Sequence, residues 1–248
     1  MALVQRIFRL GFRSLWFAGV LLFVAGDFVV STLRHRGALP LRERTRWLQR
    51  SSRRALRVFR VQIEAHGPRP AAGLLVSNHL SYLDILVLAT LVPAVFVSKS
   101  EIKNWPVFGW FGRLAGTLFL ERSRRSDVGR MSEEIRAVLA DGHVVVLFPE
   151  GTSWNGRELL PFKSSLLEPI VGSPHPLSIA GIGYALVDGS VENDVCYWGD
   201  MTFFPHLVRL MSRNQIRVQV RFAAIGERAA GRKELARQLH AAVLQLKP

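Results

Sequence analysis

The residues of this chain whose types and spacing could do chemistry stand at the ends of short apolar runs. The first group is Ser77-Asn78-His79-Leu80-Ser81-Tyr82-Leu83-Asp84, between an apolar run at 73–76 and an apolar helix expected over 85–91. On one continuous helix, His79 and Asp84 would lie about 140° apart. They meet only if His79 precedes the helix and Asp84 sits in its first turn, with Ser81 as the N-cap. A carboxylate on one imidazole nitrogen fixes the tautomer and leaves the other nitrogen to accept a proton, so His79 reads as a general base and Asp84 as its orienter. Ser81-x-x-Asp84 also has the form of a capping box, which would explain Asp84 without catalysis.

Two more groups have the same placement: Gly116-Thr117-Leu118-Phe119-Leu120-Glu121-Arg122, followed by Arg124 and Arg125, and Phe148-Pro149-Glu150-Gly151-Thr152-Ser153. Other signatures are missing. There is no GxSxG, HExxH or P-loop, and Gly181-Ile182-Gly183 lacks the third glycine of a dinucleotide fingerprint. The single cysteine, Cys196, excludes an intramolecular disulfide and any CxxC motif. His35, His66, His143, His175, His206 and His240 show no metal-ligand spacing and read as surface or satisfied core histidines.

The elements that must position these groups follow from the hydrophobic pattern. From residue 61 onward, apolar runs at 73–76, 94–97, 117–120, 144–148 and 177–182 read as buried strands. Val128, Met131, Ile135, Val138 and Leu139 recur at helical spacing, as do Leu235, Leu239, Val243 and Leu246. The strict alternation of 217–221 suggests a half-exposed edge strand. This is the pattern of an α/β fold, a mixed, mostly parallel sheet flanked by helices.

Composition separates the N-terminal quarter from the rest. The 248 residues are 49% hydrophobic and carry 33 Lys and Arg against 19 Asp and Glu, a balance of +14. Residues 1–60 hold thirteen arginines against Asp27 and Glu43, a balance of +11, which leaves +3 for the remainder. A nucleic-acid-binding protein is disfavoured, because its charge should lie in the globular part. An apolar centre at 15–26 with arginine shoulders suits an anionic membrane surface. The apolar stretch 15–30 spans about 24 Å as a helix, short of a roughly 30 Å hydrocarbon core. Monotopic attachment is therefore expected ahead of a true span, with a signal peptide as the competing reading. The division expected is 1–60, basic membrane-associating helices, and 61–248, the chemical domain; a basic helix over 41–60 could lie on lipid or pack on that domain.

NHxxxxD, GxxFLxR and FPEGTS in this order resemble the first three motif blocks of the glycerolipid acyltransferase family, in particular bacterial 1-acyl-glycerol-3-phosphate (lysophosphatidic acid) acyltransferases, over about 61–248. Trp198-Gly199-Asp200-Met201 through Pro205-His206 is similar to a segment of a bacterial subgroup that includes lyso-ornithine-lipid acyltransferases. The fourth block departs from the usual pattern: Pro176 to Gly181 stands where a Val-Pro-Val strand is common, and Ser165 where a Gly often follows Lys163.

The resemblance implies transfer of a fatty acyl group from an acyl-carrier protein or coenzyme A thioester to a lysophospholipid hydroxyl, most directly giving phosphatidic acid. No bound cofactor or metal is implied. A thioester is already activated, so a base is needed but no Ser or Cys nucleophile. His79 and Asp84 are the implied catalytic pair. Arg122, Glu150, Gly151, Thr152, Ser153, Lys99, Gly116 and Phe119 are the implied substrate-binding residues. Arg122 would clamp a phosphate bidentately, with Lys99 and Lys163 as point charges. Its alternative is a surface salt bridge, and Arg124 and Arg125 read as a solvated helix start. Glu150 would bond an acceptor hydroxyl or brace a cation, unless 150–153 is simply a turn. The aromatic stretch 105–111 suits core, an acyl groove or the bilayer edge equally. The implied partners are anionic membrane lipids, the lysophospholipid and acyl-carrier protein, with no nucleic acid. The implied location is the cytoplasmic face of a bacterial inner membrane. A lyso-ornithine-lipid acceptor is the alternative enzyme, and an inactive membrane-attached scaffold the alternative of another class.

Overall fold

The computed structural model describes residues 2–105, 107–121 and 125–248, with side chains described at 8–105, 107–121 and 129–248. Two N-terminal helices, α1 (Ala2–Arg34) and α2 (Leu41–Val58), precede a domain of alternating strands and helices. In chain order these are β1 (Val61–His66), β2 (Gly73–Ser77), α3 (Leu83–Leu91), β3 (Ala94–Lys99), α4 (Phe108–Ala115), β4 (Leu118–Leu120), α5 (Arg125–Ala140) and β5 (Val144–Leu147). There follow β6 (Leu177–Leu186), α6 (Val191–Asp194), α7 (Phe203–Ser212), β7 (Ile216–Ile225) and α8 (Arg232–Leu246). The strands form one sheet in the order β1-β7-β6-β2-β5-β3-β4. The five from β6 to β4 are parallel, β7 is antiparallel to β6, and β1 is parallel to β7.

The continuous apolar runs are strands covered on both faces: every residue of β2 and β5 is buried. One apolar layer joins α2, α3 and α7 to the sheet, through residues such as Phe59, Leu88, Leu210 and Val146. The other joins α5, α8 and the 3₁₀ segment Ser164–Ile170, through Ile135, Leu239, Leu167 and Val145. The alternating segment expected at an edge lies instead between β1 and β6. Alternation there reports a thinly covered face, not an edge, and β1 is the strand that closes the sheet. Gly181 and Gly183 prove to be packing glycines. A Cβ at Gly181 would stand 2.8 Å from backbone atoms of Leu246 and Lys247, so the end of α8 needs this stretch of β6 to be bare.

The N-terminal helices are part of the fold. Trp47, Leu56 and Phe59 are buried, and α2 packs chiefly on α3, so it covers the domain rather than forming a separate layer on lipid. α1 continues past the 16 apolar residues to 33 residues, about 50 Å, and is long and apolar enough to cross a membrane. It divides lengthwise. At about 100° per residue, Arg13, Phe17 and Val24 share one stripe and are buried against α2, α7 and their neighbours. Phe8, Leu15, Leu22 and Leu33 occupy the opposite side, Phe12 and Phe23 flank it, and all six are exposed.

Among the N-terminal arginines, Arg13 and Arg44 cap helices. Arg13, only 3% exposed, donates to the carbonyls of Met211, Arg213 and Asn214 at the end of α7. Arg44 donates to the carbonyls of Arg113 and Leu114 at the end of α4. Both answer the need of terminal helix carbonyls for donors. Arg13→Met is therefore expected to lower the unfolding free energy by about 1–3 kcal/mol, the cost of stranding buried acceptors. Arg36→Met, at an exposed position, should leave the urea midpoint within error of the unmodified protein; equal midpoints for both variants would contradict the capping role.

Candidate active site

β2 delivers the first motif to the C-terminal edge of the parallel strands, with β5 on one side and β6 on the other. This edge is where open α/β sheets present their ligands. Asn78 staples the emerging turn to β6: its Oδ1 accepts from Ile182 N at 2.7 Å and its Nδ2 donates to Ile182 O at 3.0 Å. His79 is then held through its backbone by the loop after β5. Its N–H donates to Glu150 Oε1 at 2.6 Å, and its carbonyl accepts from Trp154 N at 3.1 Å.

The His79 ring stacks on Phe148, with centroids 4.1 Å apart, and its Nδ1 donates to Asp84 Oδ2 at 2.9 Å. An ionised carboxylate only accepts, so Nδ1 carries a proton, and in the neutral imidazole Nε2 is left with the lone pair. Among the described residues Nε2 has no hydrogen-bond partner, while 16% of the side chain reaches solvent. Asp84 is fully buried and saturated. Oδ2 also accepts from Leu80 N at 2.6 Å and Ser81 N at 2.9 Å, and Oδ1 accepts from the Tyr184 hydroxyl at 2.6 Å. The N-cap position of α3 is Tyr82 rather than Ser81, and Ser81 Oγ is buried without a partner. Asp84 nevertheless reaches back to the Ser81 amide as a capping-box acidic residue does. The capping and the His-orienting readings therefore hold together.

Glu150 is placed differently from expectation. It is 3% exposed, and both oxygens accept backbone amides, His79 N and Leu160 N, the latter at 2.9 Å. Its contacts brace the His79 turn rather than a cation or an acceptor hydroxyl. Burial pushes its carboxyl up to about 7, opposed by those two amides. Gly151 takes a left-handed φ of 73°, with its N–H on Phe148 O, which folds Thr152 and Ser153 back beside the turn; Ser153 Oγ donates to Tyr197 O. Gly116 and Phe119 belong to the α4–β4 corner. Gly116 ends α4 with φ 83°, where a Cβ would strike Leu41, and Phe119 lies against Gly112. Lys99 ends β3 at the same sheet edge, two strands from β2, about 10 Å away. Arg122 and Arg124 lie outside the described residues, as does the Arg125 side chain; β4, which precedes Arg122, ends at that edge too.

A second layer holds the turn from α7. Tyr82 donates its hydroxyl to His206 Nδ1 at 2.9 Å, and His206 Nε2 donates to Cys196 O at 3.0 Å. His206 is fully buried, and desolvation pushes it down to about 4, so it stays neutral and satisfied. The Tyr82 ring packs among Phe108, Tyr197 and Phe203. The aromatic stretch 105–111 thus divides: Trp105 and Phe108 join this cluster, Phe111 stacks on Trp47, and Val107 and Trp110 are exposed. Sequence reasoning missed Tyr184, since nothing in a lone tyrosine 100 residues from Asp84 marks a partnership.

Residues 58–182 match the model of the acyltransferase family. The chain is 37% identical over 209 residues to the lyso-ornithine lipid O-acyltransferase of Rhizobium meliloti, covering 77% of this chain and 72% of that protein. It is 31% identical over 178 residues to a 1-acyl-sn-glycerol-3-phosphate acyltransferase of Neisseria gonorrhoeae, covering 71% and 69%. Its fold is similar to the crystal structure of the 1-acyl-sn-glycerophosphate (LPA) acyltransferase, PlsC, from Thermotoga maritima, with a TM-score of 0.70, 15% identity and coverage of 99% and 97%.

Glu150 generates a pH prediction. A carboxyl raised from 4.5 to about 7 on folding favours the folded state fully below the lower value, and that contribution is lost as pH rises through the upper one. The stability of the protein relative to its Glu150→Gln variant should fall between about pH 4.5 and pH 7. Urea midpoints of the two at pH 5 and pH 8 check this, and a constant difference would contradict it.

Proposed function

The chain belongs to the acyltransferase family, and from that membership we propose that it moves a fatty acyl group from an acyl thioester, on acyl-carrier protein or coenzyme A, to the free hydroxyl of a lysolipid. The observation that carries the reading is the oriented His79–Asp84 pair with Nε2 open at the sheet edge. No nucleophile stands at hydrogen-bond distance from that nitrogen among the described residues. Cys196 is fully buried and its thiol is pushed up to about 12, so it stays protonated. His79 Nε2 takes the acceptor hydroxyl's proton as the oxygen attacks the thioester carbonyl carbon. Collapse of the tetrahedral adduct breaks the C–S bond, and the imidazolium returns the proton to the leaving thiolate, giving an ester and a free thiol. The thioester carries the activation, so the reaction calls for no bound cofactor.

Two acceptors suit this site. For 1-acyl-glycerol-3-phosphate, giving phosphatidic acid, Arg122 and Lys99 are the cationic residues we assign to the phosphate. Lyso-ornithine lipid is favoured by the higher identity to the Rhizobium relative and by the packing of the 196–206 segment directly on the catalytic turn. The outward side of α1 is assigned to the bilayer. A helix apolar on both sides, with protein covering one, needs lipid on the other. Because the domain flanks α1 from Arg13 to Val24, the helix lies along the membrane surface, and residues 1–60 serve attachment while also closing the core of 61–248. We assign this surface to the cytoplasmic face of a bacterial inner membrane, the side on which the proposed acyl-carrier protein or coenzyme A donors are met.

Purified protein in detergent, given a labelled acyl thioester, should acylate one of the two lysolipids, and His79→Ala should lower transfer at least ~10²-fold. Transfer near the unmodified rate would overturn the base assignment. With lysophosphatidic acid, Arg122→Met should raise KM markedly; with lyso-ornithine lipid it should matter less. Separately, the combined Phe12→Glu, Leu15→Glu and Leu22→Glu protein should fail to sediment with anionic vesicles while keeping its folded circular dichroism. Undiminished sedimentation would place attachment elsewhere.

A further inference from the structure

We propose that Tyr184 is a positioning residue of this site, whose hydroxyl sets how strongly Asp84 draws the proton of His79. The inference rests on the acyl-transfer reading only for its kinetic consequence. Its geometric basis is the four-donor saturation of Asp84. Three donors, His79 Nδ1 and the Leu80 and Ser81 amides, converge on Oδ2, and among the described residues Tyr184 is the donor to Oδ1, at 2.6 Å. The first three come from the turn itself, within five residues of Asp84. Tyr184 comes from β6, two residues beyond the Ile182 peptide that Asn78 grips. One strand therefore fixes both the start of the turn and the carboxylate at its end.

The hydroxyl is a donor throughout the working range, because burial and the adjacent carboxylate push its own ionisation well above the ordinary phenol value. A hydrogen bond to a carboxylate stabilises its charged form and makes it a poorer proton acceptor. With Tyr184 donating to Oδ1, charge is drawn away from Oδ2, and the Nδ1–H bond of His79 weakens accordingly. Without that donor Asp84 would bind the imidazolium more tightly. His79 would then be protonated, and useless as a base, to higher pH. The residue thus trades base strength for availability.

The other titratable groups that face the pair are few. Glu150, from the end of β5, sits on the His79 amide. Cys196, in the segment after α6, lies within the field of Asp84 and of Lys247, and its thiol stays protonated. Tyr82 and His206 satisfy each other on the α7 side. Glu150 titrates near 7 and would blur a kinetic profile alone, so the direct readout is the imidazole.

The test compares the unmodified protein, Tyr184→Phe, and protein carrying 3,5-difluorotyrosine at position 184, a stronger donor of nearly the same shape. Histidine Cε1–H resonances are titrated in detergent, with the His79 signal identified by its loss in His79→Gln, and repeated in a Glu150→Gln background. Tyr184→Phe should raise the His79 midpoint by at least about 0.3 unit and difluorotyrosine should lower it. The acidic limb of kcat/KM should move in the same senses while the high-pH plateau stays within several-fold. Midpoints unmoved by both replacements would overturn the proposal, as would both moving in one direction, the mark of altered packing. If Tyr184→Phe does not fold, the difluorotyrosine protein decides alone: a lowered midpoint supports the coupling and an unchanged one overturns it. Absence of acyl transfer by the unmodified protein would refute the proposed reaction and leave the imidazole titration to judge Tyr184.

Discussion

The site depends on a carboxylate with no access to water. Asp84 is fully buried, and an ionised group in that setting is tolerated only if its lone pairs are occupied. Four donors meet that demand, and each constrains a different part of the molecule. The Leu80 and Ser81 amides force the chain to turn before α3, the imidazole fixes His79, and Tyr184 requires β6 alongside. The N-terminal end of α3 adds its dipole to the same carboxylate. The geometry of the His79–Asp84 pair and the local fold are thus one solution to one desolvation problem.

A second brace has the same character. Glu150 is nearly as buried, and its two oxygens tie the His79 amide to the Leu160 amide across the loop after β5. FPEGTS therefore acts on the dyad through the backbone: the carboxylate holds the turn, and Gly151 supplies the left-handed bend that lets it do so. Phe148 closes the arrangement by stacking on the imidazole. On the other flank, the neutral His206 and the aromatic cluster around Tyr82 connect the turn to α7. α7 is itself capped by Arg13 of α1. A continuous set of contacts therefore joins the apolar helix α1 to the His79 turn.

The arginine excess takes on two meanings in this light. Most of the N-terminal arginines with described side chains are exposed or half-exposed, but Arg13 and Arg44 donate to helix carbonyls within the fold. Charge counting along the sequence cannot separate these uses, because the distinction lies in which carbonyls happen to end nearby.

The sequence by itself determined the strands buried on both faces, the long helices and the loops that carry the dyad, because burial on two faces, helical periodicity and a five-residue His–Asp spacing are local signals. The identities of His79 and Asp84 and the need for the latter in a first helical turn were legible for the same reason. Tertiary structure alone decided what depends on neighbours distant in the chain. β1 closes the sheet and makes β7 interior, although both alternate. Gly116 and Phe119 serve the α4–β4 corner, and Glu150 braces backbone amides. Tyr184 reaches Asp84 from across 100 residues. Hydrogen bonds of that kind are set by strand order, and the order β6-β2-β5 that brings three loops to one edge has no signature in any single segment of the chain.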